Sequence, residues 1–392
     1  MNIIFFFDRQ INPNKGGTER ATYLIAHLLK NRGHNVFYLS VYPVENPDTA
    51  ITTFFLPDKN PLSEENKLYI QDICQKENIH VIINECGNGE FANTFSNTYL
   101  DINSKIITVL HFSIYEGLNY FKELVRYDLP RNLPNLLKMI AYTLKMPFNK
   151  YKALKRKKTR FRLIHNHSDK IVLLSKKYIS DLKSLSNIRN NDKLISIKNP
   201  MSYSLCESPE SIFSKKENEI LFVGRLSYSE KRVDRLLEIW NMLFHQYPDW
   251  RLTIVGDGPD KNNLQEKAKR LGLERCFFEG FQEPLTYYNR AKIFAMTSTH
   301  EGLPMVVIEA MQHGCIPILF NSFGAAEEMI DHGVNGFLIP PFNKTDYSNK
   351  LKELLQNPDR ILEISKKSME KTKEYDITLI GQDWEDLLNS LF

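Results

Sequence analysis

Short runs of β-branched, aliphatic and aromatic residues recur along this chain, and between most of them the apolar positions repeat every three to four residues. In the C-terminal half the runs fall at Ile220–Val223, Leu252–Val255, Phe277–Phe278, Ile293–Met296, Ile316–Phe320 and Phe337–Ile339. One intervening stretch carries Val233, Leu236, Leu237, Trp240 and Phe244, and another Leu264, Ala268 and Leu271, each set spaced to form one face of a helix. Such alternation predicts a parallel sheet with helices on both faces. The N-terminal half keeps the same rhythm with weaker contrast. Its strands are expected at Ile3–Phe7, Val36–Leu39, Val81–Ile83, Ile106–Leu110, Ile171–Leu174 and Leu194–Ile197, and a first helix runs from about Thr18 to Asn31, closed by Gly33.

The two patterned halves meet at Lys198, Asn199 and Pro200, because proline disfavours helix before it and the stretch from there to Asn218 is polar and weakly patterned. The fold expected is α/β, with two Rossmann-like domains facing each other across a cleft. Residues 1–198 would form the first domain and 199–377 the second, with a helix over about 378–392 packing back onto the first. Sheets of this class bind ligands beyond the carboxyl ends of their strands, so candidate chemistry belongs in the loops that follow them.

Composition narrows the class. With 392 residues, 42% hydrophobic and 25% charged, the chain suits two globular domains and excludes disordered, collagenous and coiled-coil readings. No apolar run approaches the ~20 residues of a spanning helix, and the opening Ile3–Phe7 run is stopped by Asp8 and Arg9, so neither a membrane span nor a signal peptide is expected. Cys74, Cys86, Cys206, Cys276 and Cys315 are scattered and never spaced as a metal or redox pair, which fits reduced thiols in a cytoplasmic protein.

The net charge of +4 conceals a basic tract. Between Leu129 and Ser168 stand Arg131, Lys138, Lys145, Lys150, Lys152, Lys155, Arg156, Lys157, Lys158, Arg160 and Arg162 with no acidic residue, so the remainder of the chain is net acidic. Interleaved with these cations are Leu136, Leu137, Ile140, Leu144, Met146, Phe148, Tyr151, Leu154 and Phe161. Apolar residues among Lys and Arg are what a non-spanning contact with an anionic membrane requires. A solvated helical face is the plainer reading, and no zinc, helix-turn-helix or RNA-binding signature supports nucleic acid. His165 and His167 alternate as in a strand or loop and lack a third metal-like partner.

The densest motif runs from Ser298 to Ala310. A Gly-containing loop leads from a strand into a helix that Pro304 is suited to begin, and such a helix start presents free N–H groups to phosphate or hydroxyl. Glu301 and Glu309 stand eight residues apart in it. Upstream lie Gly224, Arg225, Leu226 and Ser227 with Glu230 and Lys231; then Val255, Gly256, Asp257, Gly258 and Pro259; then Phe278, Glu279, Gly280 and Phe281. As an ordered set over residues 219–342 this resembles family 4 of the retaining nucleotide-sugar glycosyltransferases, which have the two-domain GT-B fold. In the N-terminal half the resemblance rests on Gly16, Gly17, Thr18 and Glu19 and on His111 at a strand end.

The resemblance implies roles. Arg225 and Lys231 would bind the donor diphosphate, with Gly16, Gly17 and Gly224 approaching it through the backbone. Glu301 would meet the donor sugar, with N–H groups of Gly302, Leu303 and Pro304's helix around it. Glu309 would take the ribose hydroxyls, Gly280 and Phe281 would lie by the base, and His111 would sit near sugar and acceptor. Asp8 and Glu116 are weaker candidates. No two aspartates stand two apart, so the metal-holding D-x-D pair of other sugar transferases is missing and fixed cations would meet the charge on the departing phosphate. The expected reaction is therefore a metal-independent, retaining hexosyl transfer without a cofactor. The donor would be a nucleotide-diphosphate sugar, most simply UDP-linked, and the acceptor a glycan or lipid-linked molecule at the cytosolic membrane face. Alternatives are another GT-B activity, such as a phosphorylase or nucleotide-sugar epimerase, or a non-catalytic protein that binds anionic surfaces.

Overall fold

The computed structural model describes residues 1–87, 90–95, 102–120, 133–189, 192–203 and 208–392. Cys206 and the start of the basic tract, Leu129 to Asn132 with Arg131, lie outside them. Two compact units emerge, one made of Met1–Tyr115, Phe148–Ser202 and Tyr375–Phe392 and the other of Glu116–Pro147 and Tyr203–Glu374.

The first unit opens with β1 (Asn2–Phe6), α1 (Gly17–Asn31), β2 (Asn35–Ser40) and β3 (Thr53–Phe55), followed by α2 (Glu64–Lys76), β4 (Val81–Asn84) and β5 (Lys105–Leu110). Helix α3 (Leu133–His167), of which Phe148 onward belongs to this unit and the part to Pro147 to the other, leads to β6 (Lys170–Leu173), α4 (Lys176–Ser186) and β7 (Leu194–Ser196). The strands pair in parallel in the order β3-β2-β1-β4-β5-β6-β7. The order reverses between β1 and β4, which opens a crevice at their carboxyl ends.

Every strand named above for this half is present within a residue or two. Strand β3 was not expected: three residues at a sheet edge, half exposed, give too short a pattern to recognise. His165 and His167 correct another expectation, for they close helix α3 rather than lie in a strand or loop. Leu, Lys and Arg dominate that stretch and favour helix, and strand begins only at Lys170.

The second unit contains α5 (Pro209–Ser214), β8 (Glu217–Val223), α6 (Val233–Asn241), β9 (Arg251–Val255), α7 (Lys261–Arg270), β10 (Cys276–Gly280) and α8 (Leu285–Arg290). It continues through β11 (Ala291–Met296), α9 (Met305–Gln312), β12 (Ile316–Phe320), α10 (Ala326–Met329), β13 (Phe337–Ile339), α11 (Lys344–Leu355) and α12 (Pro358–Lys371). Its parallel order β10-β9-β8-β11-β12-β13 switches between β8 and β11. The polar stretch before Asn218 holds the short helix α5, started by the Ser208 hydroxyl, which accepts from the Ser211 N–H.

Helix α13 (Ile377–Asn389) belongs to the first unit, where Ile380, Trp384, Leu387 and Leu388 join Ile3, Phe5, Ile25 and Leu29 in one buried cluster. At ~1.5–3 kcal/mol for each large apolar side chain withdrawn from water, this contact anchors the helix firmly. The second unit's largest buried cluster gathers Phe222, Ile254, Ile293 and Phe320 from one face of its sheet with Leu237 and Trp240 of α6. Rigid sheets thus carry the loops at β1, β4, β5, β8 and β11.

Candidate functional site

In the second unit the loops after β8 and β11 flank the topological switch and are stitched together. The Thr299 N–H donates to the Glu230 carbonyl at 2.7 Å, and the Thr297 hydroxyl donates to the Arg232 carbonyl at 2.9 Å. Arg232 adopts a left-handed backbone at φ 48°, and its guanidinium grips Asp234 at 2.9 and 3.0 Å. That turn presents Lys231, whose Nζ donates to both oxygens of Glu301 at 2.7 and 2.9 Å. The structure therefore brings together the two charged residues that the sequence places at phosphate and sugar. The Arg225 side chain, by contrast, is exposed.

Backbone geometry explains the glycines of these turns. Gly224 has φ +153° and Gly256 φ +141°, a region that side chains rarely adopt, and a Cβ on Gly256 would stand 2.0 Å from the Gly224 carbonyl oxygen. Only glycine lets the ends of β8 and β9 approach this closely. Near by, the buried hydroxyls of Ser227, Ser298 and Thr299 have no hydrogen-bond partner among the described residues. Buried polar groups left so carry a desolvation cost that a polar ligand would relieve.

Glu309 sits on α9 and is only 2% exposed. The Tyr288 hydroxyl donates to its Oε2 at 2.9 Å, a partner the sequence offered no signal for. The His313 Nδ1 meets the Glu309 carbonyl at 2.8 Å, and burial holds the His313 imidazole below its ordinary range. Pro304 stands at the cap position, and α9 begins at Met305, one residue later than expected. Leu303 is buried, Gly280 ends β10 with φ +74°, and Phe281 is 66% exposed beside it, an open aromatic face. Glu116 lies against His300 of the β11–α9 loop at 3.3 Å.

In the first unit the expected residues lie beyond the carboxyl ends of β1 and β5. Gly17 is the first residue of α1 and Gly16 caps it in extended backbone that any residue can adopt. Glu19 folds back on this turn: a Cβ on Gly16 would meet its Oε2 at 2.6 Å. Burial pushes the Glu19 carboxyl up, against its own backbone N–H and the charge of Arg9, which lower it. His111 makes a short contact through Nε2 with Oε2 of Glu85, a buried carboxylate after β4 that sequence reasoning missed. Among the described residues no three His, Cys, Asp or Glu side chains gather as a metal site.

Helix α3 has a second surface. Leu137, Ile140, Leu144, Phe148, Tyr151 and Leu154 are all exposed, from 40% to 76%, and their spacing of three or four residues sets them on one face. Lys145, Lys150, Lys152, Lys155 and Arg156 are exposed around them. No helix among the described residues is long and apolar enough to cross a membrane.

Comparison with known proteins places this arrangement. Residues 207–375 match the family model described as glycosyl transferases group 1. The chain is 36% identical over 200 residues to an uncharacterized glycosyltransferase of Haemophilus influenzae, a match covering 50% of this chain and 55% of that protein. It is 26% identical over 393 residues to the amylovoran biosynthesis glycosyltransferase AmsD of Erwinia amylovora, covering 96% and 97%. The match thus spans about half of the first relative and nearly all of the second. Among solved structures, HepE of Anabaena in complex with UDP and glucose superposes with a TM-score of 0.74 at 17% identity over all of both chains, a likeness of fold.

Proposed function

We propose that this chain, whose residues 207–375 match the glycosyl transferases group 1 model and which has the GT-B fold, moves a hexosyl group from a nucleotide-diphosphate sugar to a glycan or lipid-linked acceptor in cell-surface polysaccharide or glycolipid synthesis. The observation that carries this reading is the Lys231–Glu301 pair held at the β8–β11 switch point, with Glu309 buried on the helix that follows. A cation and two carboxylates beside orphaned hydroxyls suit a ligand that is anionic at one end and hydroxylated at the other.

The proposed chemistry follows from charge. Cleavage of the sugar–phosphate bond leaves negative charge on the departing diphosphate, and Lys231 with Arg225 supplies fixed positive charge there without a metal. Glu301 orients sugar hydroxyls and Glu309 the ribose. Retention of configuration is proposed to follow when the leaving phosphate takes the acceptor proton on the face it departs from, so that no enzyme nucleophile is needed. UDP is the proposed nucleotide, a reading supported by HepE, whose complex holds UDP.

The acceptor side of the proposal rests on α3. Its exposed apolar stripe with flanking cations and no acids fits the anionic headgroups of a membrane's cytosolic face, where the enzyme would sit peripherally.

A panel of nucleotide sugars, each tested for a rise in Tm and then for nucleotide release with acceptor, tests the whole reading. A UDP-sugar is expected to stabilise the protein and to release UDP. Orthophosphate dependence would point to a phosphorylase and an acceptor-free product to an epimerase; absence of any nucleotide-sugar binding overturns transfer.

A further inference from the structure

The first unit contains a buried acid–base pair that the transfer scheme above does not use. Glu85 follows β4 and His111 follows β5, and their side chains are 1% and 9% exposed. Oε2 of Glu85 meets Nε2 of His111, while Oε1 of Glu85 and Nδ1 of His111 have no hydrogen-bond partner among the described residues. A carboxylate only accepts, so the proton between them belongs to Nε2. In the neutral ring Nδ1 is then left as an acceptor.

The pair is rigid because its strands are pressed together behind it. A Cβ on Gly87, two residues after Glu85, would stand 2.3 Å from the Val109 carbonyl oxygen on β5. Polar groups near the pair include Asp8 and Arg9 after β1, Cys86, whose Sγ accepts from the Asp8 N–H at 3.1 Å, Glu19 from α1 and Tyr38 from β2. Two orphaned polar atoms in one buried pair are costly, and a merely structural pair would be expected to satisfy them.

We propose that Glu85 is a positioning residue for transfer: it holds His111 in the Nε2–H tautomer and fixes its ring, so that Nδ1 is the nitrogen that accepts a hydrogen bond from a sugar hydroxyl. This rests on the transferase reading, because the hydroxyl belongs to its substrates. Misplacing a substrate-orienting group by about an ångström costs on the order of 10²-fold in rate, whereas affinity for the bare nucleotide should not change.

The test uses the full chain with Glu85→Gln, His111→Ala and the double variant, under the donor found by the panel. Glu85→Gln is expected to lower kcat by ~10–100-fold with donor KM and UDP Kd within about twofold of wild type. The double variant is expected to be no slower than His111→Ala alone, since both changes remove one device. Proton NMR supplies a readout independent of turnover: a far-downfield Nε2–H signal of His111 in the wild type that Glu85→Gln abolishes. Multiplicative losses in kcat, or an unchanged Nε2–H signal, overturn the proposal. If the wild type turns over no nucleotide sugar, the transferase reading fails and the pair's role in transfer with it, while the NMR signal still reports whether Glu85 holds the ring.

Discussion

Lys231 and Glu301 form a two-pronged ion pair, 2.7 and 2.9 Å from Nζ to the two carboxylate oxygens, with side chains 17% and 10% exposed. On the proposed roles a cation for phosphate is engaged by the carboxylate for sugar, and donor binding would redistribute this contact. Largely buried pairs are costly to break singly and cheap to replace together. Lys231→Met is expected to destabilise the protein by ~3 kcal/mol, and Lys231→Met with Glu301→Gln to recover most of that loss. Urea titrations check the cycle. Turnover should fall ~10²–10³-fold in the single variant and stay low in the double, since stability returns and the charge at the leaving group does not.

Arg225 differs from Lys231 in being exposed at the mouth of the β8–α6 turn. Arg225→Ala is expected to cost ~10²-fold in turnover and less than about 0.5 kcal/mol in stability, because it packs against little. Activity of the wild type should persist in excess chelator. A strict requirement for Mg²⁺ or Mn²⁺ would show that the two cations do not replace a metal.

The placement of the candidate residues was legible because they are local in sequence. The Gly224–Lys231 and Glu301–Glu309 segments are each a strand end plus a helix start, so residue type and spacing reveal position. Tyr288 against Glu309 and Glu85 against His111 were not legible. Each partner arrives from another strand or helix, and a lone Tyr or Glu beside an apolar run has no periodic signature. Strand β3 escaped for its shortness, and the histidines closing α3 because two alternating positions imitate a strand. Helix α13, which lies far along the chain, was anticipated only as packing back onto the first domain; Trp384 and Leu388 are what join it to Ile25 and Leu29.

Exposed side chains on α3 give a separable prediction. Changing Lys150, Lys152, Lys155 and Arg156 to Gln should weaken binding to anionic liposomes and reduce its salt dependence, each cation contributing about 1 kcal/mol near the surface. Phe148→Ser with Leu144→Ser should weaken binding at every salt concentration, because it removes the apolar term. Cosedimentation across a salt series distinguishes the two, and equal binding by all variants would leave the stripe a solvated face. Turnover of a soluble acceptor should be unaffected.

His313 makes the second unit sensitive to acid. Burial lowers its affinity for a proton in the folded state relative to the ordinary value of 6.5, so the unfolded chain binds the proton more readily. Stability is then full above pH 6.5 and falls as pH drops below it toward the folded value. His313→Gln should flatten Tm between about pH 6.5 and 5.5, before carboxylates titrate. Differential scanning calorimetry reads the slope; an equal slope in wild type and variant would place the effect elsewhere, for example at His165, which burial lowers as well.

The two glutamates of the motif should part company when nucleotide binding is measured alongside rate. Glu309 is buried, takes the Tyr288 hydroxyl and would meet a ribose that does not change during reaction, so its contribution is the same in ground and transition states. Glu309→Gln should chiefly raise donor KM and weaken UDP, tenfold for each ~1.4 kcal/mol lost. Glu301 would meet the sugar, whose ring gains positive character as the bond breaks, so Glu301→Gln should lower kcat by ~10²-fold. Its effect on UDP should have the opposite sign to that of Glu309→Gln. UDP lacks the transferred hexose that Glu301 would touch, and neutralising the carboxylate that engages Lys231 leaves the ammonium to the phosphates, so UDP should bind ~2–10-fold tighter, with the gain screened by salt. Isothermal titration calorimetry with UDP at two salt concentrations, set beside steady-state kinetics, decides it. If both variants weaken UDP alike, the pair does not hold Lys231 back from the diphosphate and the two carboxylates do not divide sugar from ribose.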